Sequence, residues 1–176
     1  MVSDYLRKLK TGTGEARPLR PSEIALVPPD FAAVVDLRAV RLIDRVHNPF
    51  AAGKVLVRGP DIYWPGTPAD LSRCGLRTRA LFVHELAHVW QYATGRLSAW
   101  RYLTTPSDWR YGYEVRQGAG FDDYGVEAQA DMVGDWYRMR EGAAPVCFRM
   151  GALGEPPTLD WLEATIPFAR PRSLRG

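Results

Sequence analysis

One pentapeptide constrains this chain more than any other feature: His84-Glu85-Leu86-Ala87-His88, set in the largely apolar run of residues 80–91. Side chains four apart on a helix lie on one face, about one turn from each other, so both imidazoles can reach one metal ion. Glu85 then stands toward the open side of that ion, where it can take a proton from a bound water. A cation that lowers the pKa of water, with a carboxylate beside it as general base, points to zinc and hydrolytic chemistry. The chain has three histidines, and two of them fall in this pentapeptide. Residues 76–94 read as one helix, with Gly95 as its stop. Leu81, Phe82, Leu86, Val89 and Trp90 are the side chains expected to bury it.

A catalytic zinc site needs a third protein ligand and an open fourth position. His47 is one candidate and a downstream carboxylate is the other. The carboxylate is favoured by a second predicted helix, residues 124–140, with Asp122 and Asp123 as N-caps and Gly142 at its end. On it Glu127 and Asp131 are four apart and share a face, beside an apolar stripe of Val126, Ala130, Val133 and Tyr137. A carboxylate set among Val126, Ala128 and Ala130 is compensated when it binds a cation. Asp131, one turn on, is placed to accept the free ring N–H of a ligating histidine and fix its tautomer.

HExxH followed by ExxxD on a second helix resembles the gluzincin metallopeptidases. The resemblance implies that His84, His88 and Glu127 hold Zn2+, that Glu85 is the general base and that Asp131 supports a histidine. The phrases His-Glu-Leu-Ala-His-Val-Trp-Gln (84–91) and Phe-Asp-Asp-Tyr-Gly-Val-Glu-Ala-Gln-Ala (121–130) are also similar to small bacterial zincin-like proteins. These are related to Rhs or Vgr components of secretion systems, and the likeness spans residues 37–137. One departure stands out. The 38 residues 89–126 between His88 and Glu127 exceed the thermolysin-like spacing, so an inserted hairpin or loop must bring the second helix back.

The implied fold is α+β and zincin-like, a small twisted β-sheet packed on the HExxH helix and on a second helix carrying the third ligand. In that family the edge strand runs along the cleft and pairs with an extended peptide, and residues 54–58 or 62–64 are the candidates here. Peptide hydrolysis also asks for a group that stabilises the oxyanion. Tyr124, three residues before Glu127, is the first choice, with Tyr111, Tyr113 and His47 as rivals. The implied activity is that of a zinc metallopeptidase acting on a peptide or protein, with a secretion-system or immunity protein as a further partner. Two other readings stand beside it. One is a non-catalytic adaptor or structural protein of a bacterial secretion system, braced by zinc. The other is a metal-free globule whose histidines are satisfied by Glu127 and Asp131.

The remaining sequence sets the frame. At 176 residues the chain reads as one domain, large enough for a real core. Residues 1–20 form a loose lead-in, 21–142 the metallopeptidase-like domain, and 143–176 a Pro-rich segment packing on it. Residues 159–166 are a short amphipathic stretch within that segment. Residues 34–46 suit either a strand or a helical turn, whereas 54–58 and 61–64 read as strands about the Gly59-Pro60 turn. Residues 109–115 are a further strand candidate. A formal charge of +3 with scattered arginines gives no nucleic-acid signature, and no run of about 18 apolar residues reads as a membrane span. Cys74 and Cys147 show no CxxC spacing and read as thiols of a reducing compartment, with one disulfide as the alternative. Residues 1–10 lack an apolar core of the signal-peptide kind, so the expected location is cytoplasmic, with export by a specialised apparatus left open.

Overall fold

The computed structural model describes residues 12–28, 30–47, 54–98, 110–151 and 154–170. Its elements run β1 (Ala16–Pro18), α1 (Pro21–Ile24), β2 (Arg41–Ile43), β3 (Leu56–Arg58), β4 (Asp61–Tyr63), α2 (Leu76–Ala93), α3 (Val126–Arg140) and α4 (Leu159–Thr165). The architecture is mixed α+β. The strands make one four-stranded sheet in the order β1-β2-β4-β3, with β2 and β4 parallel and the other pairs antiparallel.

Two helices dominate because their sequences can bury almost every face. In α2 the residues from Phe82 through Gln91 are buried without interruption, and Leu81 is more than a third exposed. The helix ends where the Thr94 N–H bonds the Trp90 carbonyl and Gly95 turns the chain at φ 72°, a left-handed conformation that glycine adopts freely. α3 is buried from Ala128 through Tyr137 and packs along α2. Its N-cap is Gly125, not Asp122 or Asp123. Those two aspartates lie in a 3-10 turn, Phe121–Asp123, where the Asp123 carboxylate accepts the Gly120 N–H and so closes the turn before the helix begins.

Small residues set the distance between the two helices. A Cβ on Gly134 would lie 3.5 Å from both the Ala80 carbonyl oxygen and the His84 Cβ. The backbone of α3 therefore runs close beside the first histidine.

The sheet differs from expectation in two ways. The lead-in over 1–20 is not loose from Ala16 onward, because β1 pairs with β2 and Arg17 reaches Glu23. Of the two candidate edge strands, β3 lies at the end of the sheet and packs on α2, but β4 is paired on both sides. Residues 62–64 are thus interior, their backbone already engaged by β2 and β3. The ambiguous stretch 34–46 resolves into turns followed by β2. Tyr113 makes an isolated bridge to Phe148 rather than a strand, and Trp109 lies outside the described residues.

The C-terminal segment is part of the core. α4 starts at Thr158, whose hydroxyl accepts the Trp161 N–H, and it packs on α3. Phe168 then meets Phe31 at 5.4 Å and Trp90 at 4.8 Å between ring centroids, with Phe121 beside Trp90 at 5.9 Å. This aromatic cluster joins the turn at Phe31 and the segment after α4 to the first long helix.

A second clamp ties β1 and α1 to the 3-10 turn Leu71–Arg73 that precedes α2. The fully buried Glu23 carboxylate accepts two bonds from Arg17, at 2.7 and 2.8 Å, and one each from the Arg20 and Leu71 N–H groups. Burial alone would raise its pKa; these donors outweigh it and hold the carboxyl below its ordinary range. Removing one partner of such a pair strands the other. Glu23→Ala is expected to cost about 3 kcal/mol in urea denaturation, and a loss under about 1 kcal/mol would contradict the clamp.

Candidate metal centre

The two long helices bring three side chains to one point. His84 and His88 come from α2 one turn apart, with ring centroids 5.0 Å from each other, and Glu127 comes from the first turn of α3. Each offers a ligand atom, and these atoms all lie within 4.8 Å of one another. The Glu127 Oε2 sits 3.6 Å from His84 Nε2 and 3.4 Å from His88 Nε2. Such distances are long for hydrogen bonds, and Oε2 is a buried oxygen with no hydrogen-bond partner. Two imidazole nitrogens and an orphaned carboxylate oxygen around one point are the donor set that suits zinc, so these residues fit the ion that the motif implies.

The other ring nitrogens are engaged. His84 Nδ1 faces Asp131 Oδ1 at 3.2 Å, and Asp131 in turn accepts the Gly112 N–H at 2.6 Å. Gly112 is needed there: its φ is +80°, and a Cβ would stand 3.0 Å from the Cys147 carbonyl oxygen. His88 Nδ1 lies 2.8 Å from Gln91 Oε1. Neither Gly112 nor Gln91 was expected from the sequence. For Gln91 a signal existed, since residues 84, 88 and 91 follow the i, i+4, i+7 spacing of one helix face and a glutamine there must find buried partners.

Glu85 is buried beside the cluster. Burial is the main cause that raises its pKa, opposed by His84 and His88. A carboxylate made more basic in this way is suited to accept a proton. Two of the candidate tyrosines have hydroxyl partners of their own. Tyr124 is buried and donates its hydroxyl to the Glu114 carbonyl at 2.9 Å, and Tyr113 donates to Asp135 at 3.0 Å. Tyr111 is 67% exposed. His47 packs edge-on against Tyr63 at 4.5 Å and is outside the metal-competent group found among the described residues. Of the two candidates for third ligand, only Glu127 joins the histidines.

No family model matches the chain. In an alignment 134 residues long that covers 69% of the chain, the sequence is 32% identical to the type VI secretion system spike protein VgrG2b of Pseudomonas aeruginosa strain PAO1. The chain spans 13% of that protein's length. Among solved structures, the effector domain of Pseudomonas aeruginosa VgrG2b aligns at a TM-score of 0.61, covering 96% of this chain and 93% of that domain at 24% identity. The two share a fold.

Without metal, the cluster is an ion pair. Burial works against a charged imidazole at His84, but the carboxylates of Asp131 and Glu127 outweigh it and hold its pKa up at about 10. Burial likewise opposes the Glu127 anion, but the two imidazoles hold its pKa down at about 2. The His84 contribution to stability is full below pH 6.5 and is lost as pH rises toward 10. The Glu127 contribution is full above pH 4.5 and is lost as pH falls toward 2. The metal-free protein should therefore melt highest at about pH 5 to 6 and lose about 4 °C or more by about pH 9. Glu127→Gln should flatten that slope, and a flat profile in the unsubstituted protein would contradict the pairing.

Proposed function

We propose that this chain is a zinc-dependent peptidase domain of the secreted-effector kind, with His84, His88 and Glu127 as metal ligands. One observation carries the reading: a buried carboxylate oxygen of Glu127, without a hydrogen-bond partner, faces two imidazole nitrogens whose rings are oriented from behind. The likeness to VgrG2b and the fold shared with its effector domain support the placement among type VI secretion effectors. The zincin-like description of the fold rests on the same cluster, with α2 and α3 supplying its ligands.

Zinc held there would polarise a carbonyl and lower the pKa of a bound water to about 7. The chain's own residues do the rest. Glu85, basic through burial, takes the proton from the attacking water and passes it to the departing amine. Asp131 and Gln91 keep the two rings turned so that Nε2 of each points inward. β3, at the end of the sheet and packed on α2, offers backbone to which an extended peptide can add as a further strand. Lining by main chain leaves selectivity to side-chain pockets along the strand.

The test is Glu85→Gln, which removes the base and leaves all three ligands. It should bind one zinc as the unsubstituted protein does and cleave a peptide library at least about 1,000-fold more slowly, within the range general-base removal produces. Unchanged turnover in that variant would overturn the mechanism.

A further inference from the structure

Behind His88 lies a chain of amide hydrogen bonds that can run in one direction only. It starts at two main-chain carbonyls, Phe121 and Tyr124, in the turn before α3. Both accept from Gln129 Nε2 at 2.9 Å. A carbonyl cannot donate, so Gln129 must present its NH2 to that turn and its Oε1 to the other side. There Oε1 meets Gln91 Nε2 at 2.9 Å, and the same Gln91 nitrogen donates to the Val126 carbonyl at 2.8 Å. Gln91 thus has its oxygen left for His88, and it lies 2.8 Å from Nδ1. Reversing either amide would set oxygen against oxygen at these distances. Gln91 is fully buried and Gln129 nearly so, with no water exposure to soften the mismatch.

We propose that Gln91 and Gln129 are positioning residues: their one-way relay forces the neutral His88 ring to carry its proton on Nδ1 and leaves the Nε2 lone pair for the metal. This rests on the metal reading of the site for its purpose, though not for its hydrogen bonds. The relay also joins the helices. Gln91 belongs to α2, whereas Gln129, Val126 and the carbonyl-bearing turn belong to α3 and its entry, so the residues that orient His88 also hold Glu127's helix against it. The partner histidine reaches the same polarity by a different device, a carboxylate that only accepts.

Long-range proton–nitrogen NMR spectra of the metal-free protein, at a pH where the ring is neutral, read the tautomer directly. The neutral His88 ring should carry hydrogen on Nδ1, and Gln91→Met should give a mixed or Nε2–H ring while His84 is unmoved. Zinc affinity, read by competition with a chelator, should fall about 10- to 100-fold in Gln91→Met. Gln129→Met should weaken it in the same direction, with the protein still cooperatively folded by thermal melting. An Nε2–H tautomer in the unsubstituted protein overturns the relay. Unchanged zinc affinity in Gln91→Met overturns its positioning role, whatever the tautomer does. If the unsubstituted protein takes up no zinc, the metal reading fails instead, and the tautomer spectra alone decide the relay.

Discussion

The carboxylate of Glu127 is the point on which the arrangement depends. A buried carboxylate oxygen without a donor is costly, and the Glu127 Oε2 has two imidazole nitrogens at 3.4 and 3.6 Å in place of hydrogen-bond partners. Only positive charge in that space compensates it, whether a proton on His84 or a metal ion. The close passage of α3 beside Ala80 and His84 at Gly134 lets the carboxylate reach across from a neighbouring helix. The aromatic cluster of Phe31, Trp90, Phe121 and Phe168 then anchors the far end of the HExxH helix to the segments before β2, before α3 and after α4. The ligands stand on two packed helices, as a preorganised centre requires.

The two histidines are oriented by unlike groups, and electrostatics supplies a reason. Glu85, Glu127 and Asp131 already place three carboxyl groups around two rings. A fourth carboxylate behind His88 would add like charge to a buried space and raise the cost of keeping Glu85 ionised. A neutral glutamine fixes the ring without that penalty. Asp131, by contrast, is tied to the Gly112 N–H, so its charge is shared with a main-chain donor on the segment that leads back to α3.

Much of the centre was legible in the sequence because it rests on helical periodicity. His84 and His88, and separately Glu127 and Asp131, share faces by spacing alone, and the bounds of α2 and α3 follow from apolar runs closed by glycines. What escaped was set by contacts distant in sequence. Which strand sits inside the sheet depends on the parallel pairing of β2 with β4, which no local pattern encodes. Asp122 and Asp123 carry strong capping chemistry, yet a 3-10 turn uses Asp123 before the helix starts. Gly112 matters only because its N–H meets Asp131 nineteen positions on. The glutamine relay was half visible: Gln91 lies on the metal face by spacing, but its partner Gln129 is known only once the helices are packed.

Metal content is the most direct test of the centre. Elemental analysis of protein purified without added metal or a metal-binding tag is expected to find about one zinc per chain, with Glu127→Ala losing it. No zinc in the unsubstituted protein, together with no thermal shift when zinc is added, would contradict the metal centre and leave the His84–Glu127 pair as a structural ion pair.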